Sequence, residues 1–296
     1  MNTVASAEAT LSMLAQRLMY QPSEEDFRTA PVRVGRHTRF SASESLASDE
    51  TRLVLAELFE QLGRPLKCGG GVDGPDVRWR SESHTVVLDA RRDGWLRLSV
   101  RRTAELEDAE SERFRRCATH GAQGEEGGLP YLWRYQRSGP FRRAPATPVA
   151  QDWMQLQSSL EALLRAWSQH LEVLVGDSDA GFTIDHGDGQ LVVMVSPRDD
   201  VAVFADSRDG TGRDGDHLAA MTARGWHSFI PVLSWWEAYF DRTPVGAAAA
   251  ARLVVNELRA RGVRTPSALR LIRATLGTEG GRLDIPGAGI AGGASR

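Results

Sequence analysis

Lysine and cysteine are nearly missing from this sequence. Cys68 and Cys117 are the two cysteines, too few for a disulfide framework. Lys67 is the sole lysine among 36 basic residues, and alanine and glycine are abundant. That bias reads as high-GC coding rather than as a binding surface. The 36 basic side chains face 39 acidic ones, for a formal net charge of −3. This balance excludes the strong overall positive charge of a non-specific nucleic-acid binder. Long hydrophobic runs are also lacking. The stretch Val245 to Val255 is broken by Arg252 and is too short to span a bilayer. Met1 to Tyr20 has no basic segment followed by an apolar one, so no signal peptide is expected. These absences point to a soluble protein in a reducing, cytoplasmic setting, with no membrane partner.

What is present is enough for a globular core. The chain has 296 residues, 41% of them hydrophobic, a length that predicts about two domains. Residues 1–47 read as an N-terminal helix, Ala5 to Tyr20, and an irregular linker. Residues 48–140 read as a first α+β unit. Ser48 caps a helix that ends at Gly63 and Pro65. Strands follow around Val77 to Arg80, Thr85 to Asp89 and Trp95 to Arg101, then a helix over Thr103 to Cys117. Prolines between 140 and 148 mark the boundary. Residues 150–276 read as a second α+β unit. It opens with an amphipathic helix carrying Leu156, Leu160, Leu163, Leu164, Trp167 and Leu171. Strands Gly181 to Asp185, Gln190 to Ser196 and Val201 to Asp206 come next, then a short helix and an aromatic segment. A helix from Thr243, with Pro244 in its first turn, follows, and a last short helix runs from Pro266 to Leu276. The tail 277–296 is rich in Gly and Ala and reads as disordered. The expected fold is α+β, with helices packed on two small antiparallel sheets. The first unit reads as a degenerate copy of the second.

Chemistry-bearing patterns are weak. Cys68-Gly69-Gly70-Gly71 lacks the Gly-Lys-Ser/Thr of a phosphate loop and reads as a flexible connection. Cys117 and His120 have no second ligand pair, so no structural zinc is expected. Asp177, Asp179, Asp185 and Asp188, and then Asp206, Asp209, Asp214 and Asp216, read as turn residues rather than a calcium loop. His186 stands in a hairpin-like Asp-His-Gly-Asp-Gly with no nucleophile elbow in the sequence. No cofactor, metal or catalytic set is expected. Arg78, Arg80, Arg97 and Arg101, with Trp95 beside Arg97 and Arg101 but Trp79 on the face opposite Arg78 and Arg80, read as a solvated sheet face, diluted by acids, rather than a nucleic-acid platform.

The aromatic segment matters more. Trp226, Trp235, Trp236, Tyr239 and Phe240 lie within fifteen residues. In an extended strand, adjacent Trp235 and Trp236 point to opposite faces, so one fits the core and the other a groove or an interface. Gly225-Trp226, Pro231, the aromatics Trp235 to Phe240, an Ala-rich helix and then Val263, Pro266 and Leu269 resemble the C-terminal part of the TY-Chap family. These are domains similar to type III secretion chaperones and YbjN. Where that family often has Asn before its aromatics, this chain has Leu233-Ser234. The resemblance covers about residues 152–276. It implies a non-catalytic domain that holds a protein or peptide client, often as a homodimer. Trp226, Trp235, Trp236, Tyr239 and Phe240, with Val203 and Phe204 on a strand that serves as a free sheet edge if it is not otherwise paired, are the candidate partner-binding residues. The alternative is a scaffold or immunity-type protein that binds one folded partner.

Overall fold

The computed structural model describes residues 2–37, 49–120, 128–139, 143–187, 189–196, 200–207, 215–277 and 281–292. Ser48, Asp188, Asp209 and Asp214 lie outside them. In chain order the elements are α1 (Asn2–Tyr20), β1 (Val32–Arg36), α2 (Asp49–Leu62), β2 (Lys67–Gly70), β3 (Pro75–Arg80), β4 (His84–Ala90) and β5 (Trp95–Arg102). Then come α3 (Thr103–His120), β6 (Trp133–Gln136), α4 (Trp153–Val175), β7 (Ala180–Asp185), β8 (Gln190–Val195) and β9 (Val201–Asp206). The rest are α5 (Gly215–Ala223), β10 (Ser228–Ile230), β11 (Trp235–Phe240), α6 (Pro244–Ala260), β12 (Arg270–Leu276), β13 (Arg282–Asp284) and β14 (Ala291–Gly292).

The fold is α+β, as its patterning implies. The strands form two seven-stranded sheets. Sheet A has the order β1-β5-β4-β3-β2-β6-β13, and sheet B the order β10-β11-β9-β8-β7-β12-β14. All ladders are antiparallel except the two-residue pairing of β12 with β14. The two halves share a three-strand meander but then diverge. After α3 the chain crosses to the far side of sheet A, where β6 pairs with β2. After α5 it returns to the near side of sheet B, where β11 pairs with β9.

Helix α4 joins the sheets. Its buried residues include Leu156, Leu160, Leu163, Leu164, Trp167, His170, Leu171 and Leu174, more than one stripe, as a helix with neighbours on several sides requires. Trp167 meets Phe182 of β7 at 5.8 Å between ring centroids. His170 faces His37, which follows β1, at 5.3 Å. One continuous apolar core results, running from Leu55 and Leu58 of α2 through α4 to Val254 and Leu258 of α6. Asp152 caps α4 by accepting from the Gln155 amide at 2.8 Å. Thr243 caps α6 in the same way, with Pro244 in the first turn.

Four sequence expectations are corrected. The linker after α1 contains β1, which pairs with β5 and so adds an edge to sheet A. Cys68-Gly69-Gly70 is not a loop but the interior strand β2. Its glycines serve close approach: a Cβ on Gly69 would sit 2.3 Å from the Trp133 carbonyl oxygen, which no real side chain tolerates. The last helix is a single 3-10 turn, Pro266–Ala268, followed by β12. A bulge between Leu271 and Arg273 breaks the alternation of β12 and gives its apolar residues a helix-like spacing. The tail expected to be disordered supplies β13 to sheet A, a 3-10 turn Pro286–Ala288, and β14 to sheet B. Leu283, Ile285, Ala288 and Ile290 in it are core residues. Its Gly287 lies where a Cβ would meet Leu132 at 2.8 Å, so small residues mark tight contact here and not disorder.

The arginine-bearing face of sheet A is solvated only in part: Arg78 is buried, Arg80 and Arg97 are half-buried, and Arg101 is exposed. Helix α3 covers part of it through ion pairs. Glu110 lies between Arg78 and Arg134, with Arg134 Nη2 at 3.0 Å. Glu107 receives Lys67 Nζ at 3.1 Å and Arg80 Nε at 2.9 Å. Asp76 holds Arg78 through two bonds of 2.7 and 2.9 Å. The Arg134 guanidinium stacks 3.6 Å from the Tyr131 ring centroid. Farther along the face, Arg97 donates to Asp93 at 2.6 Å and Arg36 stacks on Trp95 at 4.4 Å.

Candidate protein-binding face

Sheet B differs from sheet A in having, among the described residues, helices on one side only. Alternation along each strand sends Leu191, Val193, Val195, Val201, Val203, Ala205, Trp236 and Ala238 into the core. Helices α4 and α6, which pack on this sheet, lie on that side. The intervening residues point the other way, and the register lines them up in rows. One row reads Glu237, Phe204, Val192, Thr183, Arg273 from β11 to β12. The next reads Tyr239, Ala202, Met194, Gly181, Thr275. Ile230 and Trp235 pair at the β10 edge. Phe204, Val192, Met194, Ala202, Ile230 and Trp235 are half-buried, and Tyr239 is 41% exposed. An antiparallel sheet with one wet face normally alternates apolar and polar residues. Here β8 reads Leu-Val-Val-Met-Val, apolar on both sides.

The seven expected partner-binding residues therefore separate into three groups. Trp226, Trp236 and Val203 are fully buried and present nothing to a partner; they are corrected to core residues. Trp226 donates Nε1–H to Glu257 at 3.0 Å, and Glu257 in turn holds Arg261. Trp235, Phe204 and Tyr239 lie together on the open face. Phe204 and Tyr239 meet edge to face at 6.2 Å. Phe240 is half-buried on the inner side and packs near His227 at 6.0 Å. Strand β9 is paired on both sides, by β8 and β11, so it is not the free edge expected of it.

Sequence reasoning missed Val192, Met194 and Ala202, although the unbroken apolar run of β8 signals a strand covered on both faces. It also missed the β10–β11 turn, where Val232 is 92% and Leu233 is 61% exposed. The turn ends at Ser234 with φ +54, a left-handed conformation that asparagine adopts more readily. The Ser207 amide holds it by donating to its carbonyl at 2.8 Å.

Charged groups on this face lie at its sides and along one further row, Trp235, Asp206, Gln190, Asp185 and Arg270. Ser228 and Tyr239 both donate to Glu237, the latter at 2.7 Å, and hold its carboxyl below the usual range. The same bond pushes the Tyr239 phenol up to about 12. On the opposite side Arg273 is exposed and makes no hydrogen bond or ion pair among the described residues.

The remaining candidates lie elsewhere. His186 is at the tip of the β7–β8 hairpin, where Asp185 accepts from the Gly187 amide at 2.8 Å in an Asx turn. Asp206 accepts from Arg261 and from the Gln190 amide at 3.0 Å. Cys68 and Cys117 are both buried and not joined in a disulfide, and burial pushes the Cys68 thiol up to about 12. Among the described residues no three His, Cys, Asp or Glu side chains gather as a metal site. No helix among them is long and apolar enough to cross a membrane. Compared with family models, with curated proteins and with solved structures, the chain matches none.

Proposed function

We propose that this chain is a non-catalytic protein-binding protein of the cytoplasm, whose partner covers the outer face of sheet B. The observation that carries the reading is the apolar patch Val192, Met194, Ala202 and Phe204 on the outer face of β8 and β9, set on a sheet whose described helices lie on the other side. Leaving such a face in water forgoes roughly 25 cal/mol for each Å² of apolar surface a partner would cover. The resemblance to secretion-chaperone-like domains supports a held client. A specific observation favours the second form of the reading, one folded partner. The terminal strands β10 and β14 have three and two residues, and the rest of β12 runs beside the segment Leu283–Ile290. Neither edge offers the long row of backbone groups that strand addition uses. A broad face suits another folded surface.

The test is a pull-down with the paired variant Val192→Lys/Phe204→Lys, beside a control pair, Met154→Lys/Val245→Lys. Met154 and Val245 are 75% and 73% exposed, both on helices. Both outer-face side chains already reach solvent, and lysine stems can lie along the sheet, so the first variant stays folded. It is expected to lose the bound protein at least about tenfold, as truncation or reversal at an interface centre does. The control pair retains it. Equal retention by both variants overturns the reading.

A further inference from the structure

From the β10–β11 turn we infer that the partner is a folded protein with an aliphatic pocket and a cation at its rim, and that Val232 and Leu233 are the anchor seated in that pocket. This rests on the reading that the outer face of sheet B is a protein contact, and it extends that contact over the end of the sheet.

The turn Pro231–Ser234 joins β10 to β11 just beyond the pair Ile230–Trp235. Val232 is 92% exposed, the most of any large hydrophobic side chain among the described residues, and Leu233 beside it is 61% exposed. Apolar residues scattered singly on a surface are ordinary. These two are adjacent, and they continue the half-buried pair Ile230 and Trp235. Trp235 in turn lies diagonal to Phe204 on the outer face, within reach of an aromatic ring. The patch therefore runs without a break from the sheet face to the tip of the turn.

The turn is also fixed in shape. Pro231 sets its own φ. The Leu233 amide donates to the Ile230 carbonyl at 3.3 Å, the Ser234 amide to Pro231 at 3.4 Å, and the Ser207 amide to Ser234 at 2.8 Å. Ser234 stands at φ +54, a conformation that a non-glycine residue keeps only when its surroundings impose it. Two aliphatic side chains are thus held in water in one arrangement, so a partner that buries them orders little new chain.

Shape and charge specify that partner. A surface lying on Val192 and Phe204 can pass the projecting turn only if it has a recess there, which a folded protein offers and an unfolded segment does not. Glu237 is two residues from Trp235 along β11, about 7 Å away. It accepts from Ser228 and Tyr239 and, among the described residues, meets no arginine or lysine. Asp206 in the neighbouring row already has Arg261. A partner that takes Glu237 out of water therefore has to bring a cation to it. An anionic bilayer does not fit: its lipids repel Glu237, and a turn dipped into it leaves Val192 and Phe204 wet.

The test places an aliphatic diazirine amino acid, close to leucine in size, at position 233 of the full chain and, in a separate protein, at position 204. Irradiation where the chain is produced is expected to give protein adducts of the same mass from both. The adduct from position 233 maps to aliphatic residues of a folded region, beside an arginine or lysine. In the position-204 protein, Val232→Ser/Leu233→Ser lowers the adduct yield at least about tenfold. Both side chains are in solvent, so the fold is unaffected. An adduct from 204 with none from 233, a 233 adduct that maps to an unfolded segment, or a 204 yield unchanged by the serine pair overturns the anchor and leaves the outer-face reading standing. No adduct from either position overturns both. Sedimentation of the chain with vesicles of phosphatidylcholine and phosphatidylglycerol overturns the pocket in favour of a membrane.

Discussion

Replacing Glu110 by alanine is expected to lower the stability of the fold by about 3–5 kcal/mol, the usual cost of removing one member of a buried ion pair. Glu110 is 8% exposed and lies between Arg78 and Arg134, themselves 3% and 7% exposed. Without it Arg78 keeps Asp76, but among the described residues Arg134 keeps the Tyr131 ring and the more distant Asp284, so a buried guanidinium loses the carboxylate that touches it. The pH dependence follows from the same geometry. Burial pushes the Glu110 carboxyl up, but Arg78 and Arg134 outweigh it and hold the group down to about 2, from an ordinary 4.5. A carboxyl depressed on folding contributes stability that is complete above its unfolded value and is lost as pH falls toward its folded one. The gap between wild type and Glu110→Ala is therefore expected to narrow by about 2 kcal/mol between pH 7 and pH 3. Denaturant unfolding at the two pH values measures it. A gap independent of pH would place the stabilising contact elsewhere. Asp89 works in the opposite direction: burial raises its carboxyl to about 6 against the pull of Arg91, so its cost sets in between about pH 4 and pH 6 in both proteins.

The adjacent tryptophans are expected to behave oppositely. Trp236→Ala costs about 3–5 kcal/mol, the range for an aromatic removed from a core. Trp236 is 1% exposed and packs against Phe229 at 5.1 Å and His217 at 5.7 Å. Trp235→Ala removes a cross-strand contact with Ile230 on the open face and costs about 1 kcal/mol or less. Its effect falls instead on association. Thermal unfolding of the two variants separates these roles. Equal losses of stability would mean that both rings are core residues and that the outer face is covered from within.

How much of this was legible in the sequence varied with the kind of signal. Periodicity marked α4, α6, the meanders β3-β4-β5 and β7-β8-β9, and the opposite orientation of Trp235 and Trp236. Composition misled wherever glycine or alanine serves close contact: Gly69 and Gly70 in β2, and Gly287 and Ala288 in the C-terminal segment. A small residue reads the same in a loose loop and at a tight crossing, because the neighbour that fixes it comes from far along the chain. The bulge at Leu271/Arg273 hid β12 for a related reason, since one extra residue turns a period of two into something helical. Charge was ambiguous as well. The arginines of β3 and β5 read as a wet face, and only the return of α3, with Glu107 and Glu110 one turn apart, covers Arg78 and Arg80. The residues that carry the family resemblance, Gly225-Trp226 and Val263, Pro266 and Leu269, turn out to close the core around α6. The open face owes more to Val192, Met194 and Phe204, which no motif marks.

The most direct test of that face is a photo-crosslinking amino acid placed at position 204 and, in a separate protein, at position 154. The full-length chain is irradiated where it is produced, and the products are resolved by mass. Covalent adducts to protein, whether to a second copy or to another chain, are expected from position 204 and not from position 154. Equal yields from the two positions, or none from position 204, would contradict the claim that the outer face of sheet B is where this protein meets its partner.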